Sequence, residues 1–414
     1  MGENKFKSIF LLLFSTIISS CAGSGVKCEK GTLPVINFDE AIENIGEINL
    51  SNYAADIEYI PLETASDALL GDKIRFAVDE HYMYIVNSRG QKTVHLFDLN
   101  GKFIKNVGSK GRAKGEFMGV RSIIPMDNGE FMVLGGNSGV VYSSKTGKFI
   151  KDINFDELTG EKEMQRENFR RVIDMQHTRG DIFYIIEDIA PKDQNIVRLD
   201  ISDSSVVRKA LDQRYESTRD VMMYRDGKQG METIKDIAAC DQIRSFNGKA
   251  YICSTPVDTL YEVDDNMTRI PKYAIEYGSF NRDLSEKWNP EFPHIYGSQI
   301  MESNKMLILW IAFHKSLCVY PNGERNTYLL YDKKSGRSHI VGYSEEMASA
   351  ALVNDLDSGL PFWPFEIQGE KMYMLVAAER FIELSKKYDS PRVKEIASAL
   401  TDESNPVLVA VTLK

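Results

Sequence analysis

"VHLFDLNGKFIKNV" spans Val94–Val107 and "VVYSSKTGKFIKDI" spans Val140–Ile153; both contain Gly-Lys-Phe-Ile-Lys, at 101–105 and 147–151, an offset of 147 − 101 = 46 residues. Each copy reads as a strand, a polar turn at a glycine, and a second strand. A recurrence of roughly 40–50 residues is the period of a four-stranded propeller blade. Weaker copies follow at "IVRLDISDSSVVRKAL" (Ile196–Leu211), "LYEVDDNMTRIPKYAI" (Leu260–Ile275) and "YLLYDKKSGRSHIV" (Tyr328–Val341).

A second unit precedes these copies: a turn, then an apolar strand rich in Tyr, Phe and Met. It occurs six times, as "DEHYMYIV" (Asp79–Val86), "DNGEFMVL" (Asp127–Leu134), "TRGDIFYII" (Thr178–Ile186), "FNGKAYIC" (Phe246–Cys253), "SNKMLIL" (Ser303–Leu309) and "QGEKMYMLV" (Gln368–Val376). Apolar strands such as "KIRFAV", "VRSIIPM" and "DQIRSF" lead into several of these turns. The two hairpins together make one antiparallel blade of four strands. The sixth copy lacks its outer hairpin. After it the chain runs through "ERFIELSKKY" and "PRVKEIASAL", which carry helical spacing with a break at Pro391, and ends on the strand "NPVLVAVTLK". Near the start, "DIEYIPLET" (Asp56–Thr64) is a strand with no hairpin of its own. Pairing these two ends in one blade closes a ring and hides the edges that invite aggregation. The expectation is an all-β, six-bladed β-propeller of four-stranded antiparallel blades, closed by its N- and C-terminal strands, with short helical insertions. Six similarly ordered hairpins favour this over a double β-sandwich. Longer stretches such as "ELTGEKEMQRENF" and "YESTRDVMMYRDGKQGMET" are expected to form loops or small helices on the ring faces.

The chain has 414 residues and a net charge of -10, which argues against a nucleic-acid surface, where positive charge must cluster. Lys5 and Lys7 precede the ten-residue apolar run "IFLLLFSTII" (Ile9–Ile18). That is too short to span a bilayer and suits a signal-peptide core. "ISSC" then ends at Cys21 in the manner of a bacterial lipobox, so residues 1–20 are expected to be a signal peptide and Cys21 a lipidated membrane anchor. Residues 21–50, which include the small, Gly-rich "AGSGVKCEKGTLP", are expected to form a flexible tether, and residues 51–414 the propeller. Cys28, Cys240, Cys253 and Cys318 show no zinc spacing and read as free thiols, since Cys240 and Cys253 do not sit opposite each other across their hairpin.

"IEYIPLET", "LLGDKIRF", "FDLNGKFIKNVGSKGRAKGEF" and the late "NDLDSGLPFWPF" resemble a family of six-bladed β-propeller lipoproteins of Gram-negative anaerobes, similar in style to NHL-repeat propellers. The resemblance runs from about Asp56 to Lys414. That family usually shows Gly-Pro-Gly-Glu-[Phe/Tyr] in the glycine-rich loop, whereas here Ala113 and Lys114 precede Gly115. The resemblance implies a fold and an extracytoplasmic address, and no reaction.

Four features were candidates for chemistry. The glycine- and lysine-rich stretch Asp98–Phe117 lacks the Lys-Ser/Thr pair and following helix of a phosphate loop, and reads as a connection between blades. Asp355 and Asp357 in "NDLDSG" have the alternate-carboxylate spacing of a calcium loop without the rest of the EF-hand pattern. Phe362 and Trp363, bracketed by prolines in "LPFWPFE", either plug the ring or pack between blades, or, with Trp288 and Tyr296 in "EKWNPEFPHIYG", offer aromatic surfaces for a sugar or a peptide. His81, His177 and His314 occupy non-equivalent blade positions, which disfavours a ring of metal ligands. No Gly-x-Ser-x-Gly elbow is present. The reading is a monomeric binding module, lipid-anchored and facing the periplasm or cell surface, for a glycan, peptide or envelope protein, with no required cofactor. The alternative is an extracytoplasmic polysaccharide lyase or hydrolase with its site in the channel.

Overall fold

The computed structural model describes residues 33–71, 74–87, 93–155, 170–178, 180–188, 194–210, 216–225, 228–237, 242–253, 259–280, 295–313, 320, 323 and 326–414. Six antiparallel sheets follow one another along the chain. Blade 1 is Ile74–Val78, Tyr82–Asn87, Val94–Asp98 and Phe103–Val107. Blade 2 is Ser122–Met126, Glu130–Gly135, Ser138–Ser143 and Phe149–Asn154. Blade 3 is Arg170–Thr178, Asp181–Asp188, Gln194–Asp200 and Val206–Ala210. Blade 4 is Gln242–Phe246, Lys249–Cys253, Thr259–Val263 and Arg269–Glu276. Blade 5 is Ile295–Glu302, Met306–Phe313, Asn326–Asp332 and Arg337–Val341. Blade 6 joins the two ends of the chain: Glu366–Gln368, Lys371–Val376 and Val407–Leu413 pair in turn, and Ala54–Pro61 adds outside them with Ile57 opposite Val411. The first strand of each blade touches the first strand of the next, and blade 6 touches blade 1, so the ring is closed around an axis lined by these six strands.

The apolar runs in the second strands now have a physical reason. In "YMYIV", Met83 and Ile85 pack toward blade 6, while Tyr84 and Val86 pack toward blade 2. Phe131 and Val133 likewise face blade 1, and Met132 and Leu134 face blade 3. A strand buried on both faces loses its polar alternation. Among the described residues the core is accordingly split into six apolar clusters, one for each contact between neighbouring blades.

Glycine in the repeated Gly-Lys-Phe-Ile-Lys turn does the same thing twice. Gly101, at φ +84°, brings its backbone so close to the last strand of the preceding blade that a Cβ would lie 2.4 Å from Pro61 O. Gly147, at φ +73°, also seats against the preceding blade, but less tightly: a Cβ there would lie 3.2 Å from the Lys105 side chain and 3.3 Å from that of Val107. Beyond Gly101, the backbone N–H of Phe103 donates to Glu63 Oε2 (2.9 Å) and that of Glu63 to Gly101 O (2.8 Å), which ties "IPLET" to this turn. The following loop folds on itself: Phe117 N donates to Ser109 O and Gly111 N to Phe117 O, both at 3.0 Å, while Tyr142 Oη donates to Gly115 O at 2.7 Å. Phe117 is thereby buried between blades 1 and 2.

Two expectations about the chain's organisation change. The folded unit begins at Leu33, not at residue 51. Val35–Asn37 adds a parallel fifth strand to blade 4, Phe38–Glu43 forms a helix capped by the Asn37 side chain, and Ile45–Gly46 adds a parallel strand to blade 5. Ile36, Phe38, Ala41 and Leu50 are buried, so this part of the supposed tether is a belt over the outer edges of two blades. The "YESTRDVMMYRDGKQGMET" stretch is a hairpin, Glu216–Arg225 with Lys228–Ile237, where loops or small helices were expected. "ELTGEKEMQRENF" lies outside the described residues. Helices Ala378–Ser385 and Pro391–Ala399 follow the predicted helical spacing, and Pro391 opens the second one behind a Ser390 cap, where its missing N–H costs no hydrogen bond.

Candidate functional site

The aromatic loop is core. Phe362 is 0 % and Trp363 2 % exposed, Trp363 stacks on Tyr328 with centroids 3.6 Å apart, and both loop residues join the cluster between blades 5 and 6. Burial leaves neither ring a face to offer a sugar or a peptide. Tyr296 lies in the innermost strand of blade 5, opposite Ala312. Trp288 is outside the described residues, as are Cys21, Cys28, Cys240, Cys318 and His314. Cys253 ends the second strand of blade 4 and pairs with Gln242.

Asp355 and Asp357 point at protein donors. The Asp355 carboxylate accepts from the backbone N–H and the hydroxyl of Ser51. Asp357 Oδ1 accepts from Asn354 Nδ2 (2.8 Å), Gly359 N (3.0 Å) and Tyr59 Oη (3.1 Å), and its Oδ2 from Ser390 Oγ (2.7 Å). The two aspartates therefore clip the "NDLDSG" turn to the N-terminal segment, the outer strand of blade 6 and the second helix. Among the described residues no group of three or more His, Cys, Asp or Glu could hold a metal ion.

The concavity lies on the axis. A cavity of about 930 Å³ is lined by the innermost strands of all six blades, a size within the range of small-ligand sites. Charged and polar residues on or beside these strands line it: Arg75 from blade 1, Arg121 beside blade 2, Asp174 and His177 from blade 3, Arg244 from blade 4, Glu302 from blade 5 and Glu366 from blade 6. The arginines reach from one blade to its neighbour. Arg75 Nη1 donates to Arg121 O, and Arg121 Nη1 to Val172 O. Arg244 Nη1 donates to Asp174 Oδ2 (2.7 Å), which also accepts from Ile243 N (3.0 Å). Glu302 Oε1 accepts from Lys333 Nζ (2.6 Å) and Tyr273 Oη (2.9 Å). Phe365, 51 % exposed, is an aromatic at the cavity wall immediately before Glu366.

Two of these groups titrate abnormally. Glu366 is set deep in the ring, and its desolvation pushes its pKa up to about 7, with the Arg244 charge pulling the other way. Burial lowers the pKa of His177, against the opposing pull of Asp127, whose Oδ1 lies 3.8 Å from Nδ1, and of Asp181. His81 lies in the exposed Asp79–Tyr82 turn and does not join His177 in the cavity. Sequence reading missed Arg75, Asp174, Arg244 and Glu366, which stand at ordinary alternating positions of short strands.

No curated protein matches the sequence. Among solved structures, a Bacteroides fragilis protein with an "exported protein" designation superposes at TM-score 0.58 with 12% identity, covering 92% of this chain and 100% of the other. A Bacteroides thetaiotaomicron protein of unknown function superposes at TM-score 0.37 with 9% identity, over 90% of this chain and 76% of the other. At these identities the first likeness concerns the fold alone. The model of the family described as a domain of unknown function, DUF4934, matches residues 33–412, a span that starts where the N-terminal belt starts and ends in the closing strand, and the chain belongs to that family.

Proposed function

We propose that this protein is an extracytoplasmic binding module, anchored to the membrane through a lipid on Cys21, that admits a polar ligand of glycan or peptide class to the central channel of its propeller. The observation that carries the reading is the single cavity to which all six innermost strands contribute charged or polar side chains and the exposed ring of Phe365. A rigid ring suits recognition because little conformational entropy is lost on binding. The address rests on the Ile9–Ile18 run followed by "ISSC", and the exported designation of the B. fragilis propeller agrees with it. Among the described residues no helix is long and apolar enough to cross a membrane. A monomer without nucleic-acid partners fits the acidic net charge of -10.

The test is a glycan and peptide binding screen on the full chain, repeated with Phe365→Ala. Phe365 is exposed, so the substitution spares the core, and loss of one aromatic contact is expected to weaken binding up to about tenfold. Binding that ignores this substitution and every other change in the channel would overturn the reading. One observation favours the alternative of a channel lyase or hydrolase: a carboxyl with a pKa of about 7 in a cavity is fit for proton transfer at neutral pH. Turnover of a polysaccharide that stops in Glu366→Gln, with no equilibrium binding of any ligand, would replace the binding module by that enzyme.

A further inference from the structure

We propose that the ligand of the channel is an oligosaccharide bearing a uronic acid, whose carboxylate is held at Arg75, and that Glu366 must be protonated for it to be held. The inference rests on the channel being the binding site and adds the ligand's class and its control.

Charge comes first. Arg75 is exposed to the cavity, and its bond to Arg121 O is to a neutral acceptor that leaves the guanidinium's charge in place. The carboxylates around it are treated differently. Asp174 is paired with Arg244 and Glu302 with Lys333, so both are neutralised locally. Asp127 is 68% exposed and stands beside His177. Among the described residues Glu366 has no such ion-pair partner, and the charge of Arg244, from two blades away around the ring, only partly offsets its desolvation. It is the acid of the cavity whose charge is least compensated, and the one raised toward neutrality.

The rest of the lining argues for a sugar over a peptide. Sugar rings present apolar C–H faces with hydroxyls around the rim. Phe365 supplies a ring face, and Gln176 and Gln368 supply amides able to donate and accept at once. The guanidinium fork matches a uronate carboxylate in two parallel bonds.

An ionised Glu366 puts a second negative charge in the same cavity as the bound uronate. Protonated, it becomes a neutral O–H donor. The groups that face this space from the packed elements are Arg75, Arg121, Asp127, Asp174, His177, Arg244, Glu302 and Tyr251, whose pKa burial raises. Tyr373, opposite Glu366 on the next strand, has its pKa pushed up to about 12 and stays neutral in the range tested. A neutral His177, its pKa lowered, contributes little positive charge there near pH 7.

The experiment is isothermal titration of the full chain with trigalacturonic acid, with galactotriose as its neutral counterpart and triglutamate as an acidic peptide, between pH 5.5 and 8.5. Uronate carboxylates ionise well below this range, as α-carboxyls do. Trigalacturonic acid is expected to bind best at the acidic end and to weaken by up to about tenfold per pH unit above 7, one proton being taken up with each ligand. Glu366→Gln should keep the acidic-end affinity at all pH values, and Arg75→Ala should lose at least about tenfold for the acid. Thermal unfolding of each variant checks that it is folded. Equal affinity for acid and neutral trisaccharide, or an acid affinity that does not change with pH in the wild type, overturns the inference and leaves the channel site standing. Preferential binding of triglutamate overturns the glycan class. Binding that survives every channel variant overturns the channel site itself.

Discussion

At the scale of single residues, Gly101 separates two costs that are usually confounded. A non-glycine residue at φ +84° is strained wherever it stands, by about 1–2 kcal/mol. Here a Cβ would also meet Pro61 O at 2.4 Å, and Pro61 is backbone of the last-closing strand, which cannot swing away. Gly129, at φ +74° with nothing within 4 Å of its Cβ position, carries the first cost without the second. Gly129→Ala is therefore expected to lose about 1 kcal/mol and Gly101→Ala about 2–4 kcal/mol, measured by urea unfolding. Equal losses would mean that the turn does not seat against blade 6. The glycine-rich stretch after this turn looks like a phosphate loop in isolation. Its repetition at Gly147, and the bonds that bury Phe117, make it part of the joint between blades.

At the scale of elements, legibility follows the length of each apolar signal. The second strands were readable because burial on both faces gives runs such as Met83–Val86 and Phe131–Leu134. The closing blade was readable because Asp56–Thr64 and the terminal strand were left without partners. Val35–Asn37 was not readable: three residues show no periodicity, and a parallel partner more than two hundred residues away has no turn to announce it. The hairpin Glu216–Ile237 was also missed, because its polar sequence offers no alternation to detect. "LPFWPF" left two readings open for a different reason: an aromatic between prolines has the same sequence whether it faces water or, like Trp363, packs between blades. The belt makes a prediction that a tether does not. Ile36 is fully buried, so Ile36→Ala should cost about 2–4 kcal/mol and lower the urea midpoint. A free tether would give no change.

At the scale of the whole molecule, the ring that buries its apolar residues between blades leaves only the innermost strands to meet at the axis, and their inward side chains become the walls of one cavity. The cavity walls also desolvate what they enclose, and Glu366 is where that desolvation costs the fold. Its pKa rises from 4.5 to about 7 on folding, so the folded state binds the proton more tightly than the unfolded chain does. The linkage then has a definite sign. The contribution of the protonated form is fully present below about pH 4.5, declines as pH rises, and is lost as pH passes through 7. Full conversion of that shift would amount to about 3 kcal/mol, and partial contact with channel water reduces it to roughly 1–3 kcal/mol. The midpoint of thermal unfolding of the wild type should therefore fall between pH 5 and pH 8. Glu366→Gln keeps the shape and removes the titration, so its stability should exceed that of the wild type at pH 8 and match it at pH 5. A parallel fall in both proteins would place the titrating group elsewhere, and not at His177, whose lowered pKa acts in the opposite sense, favouring the fold as pH rises.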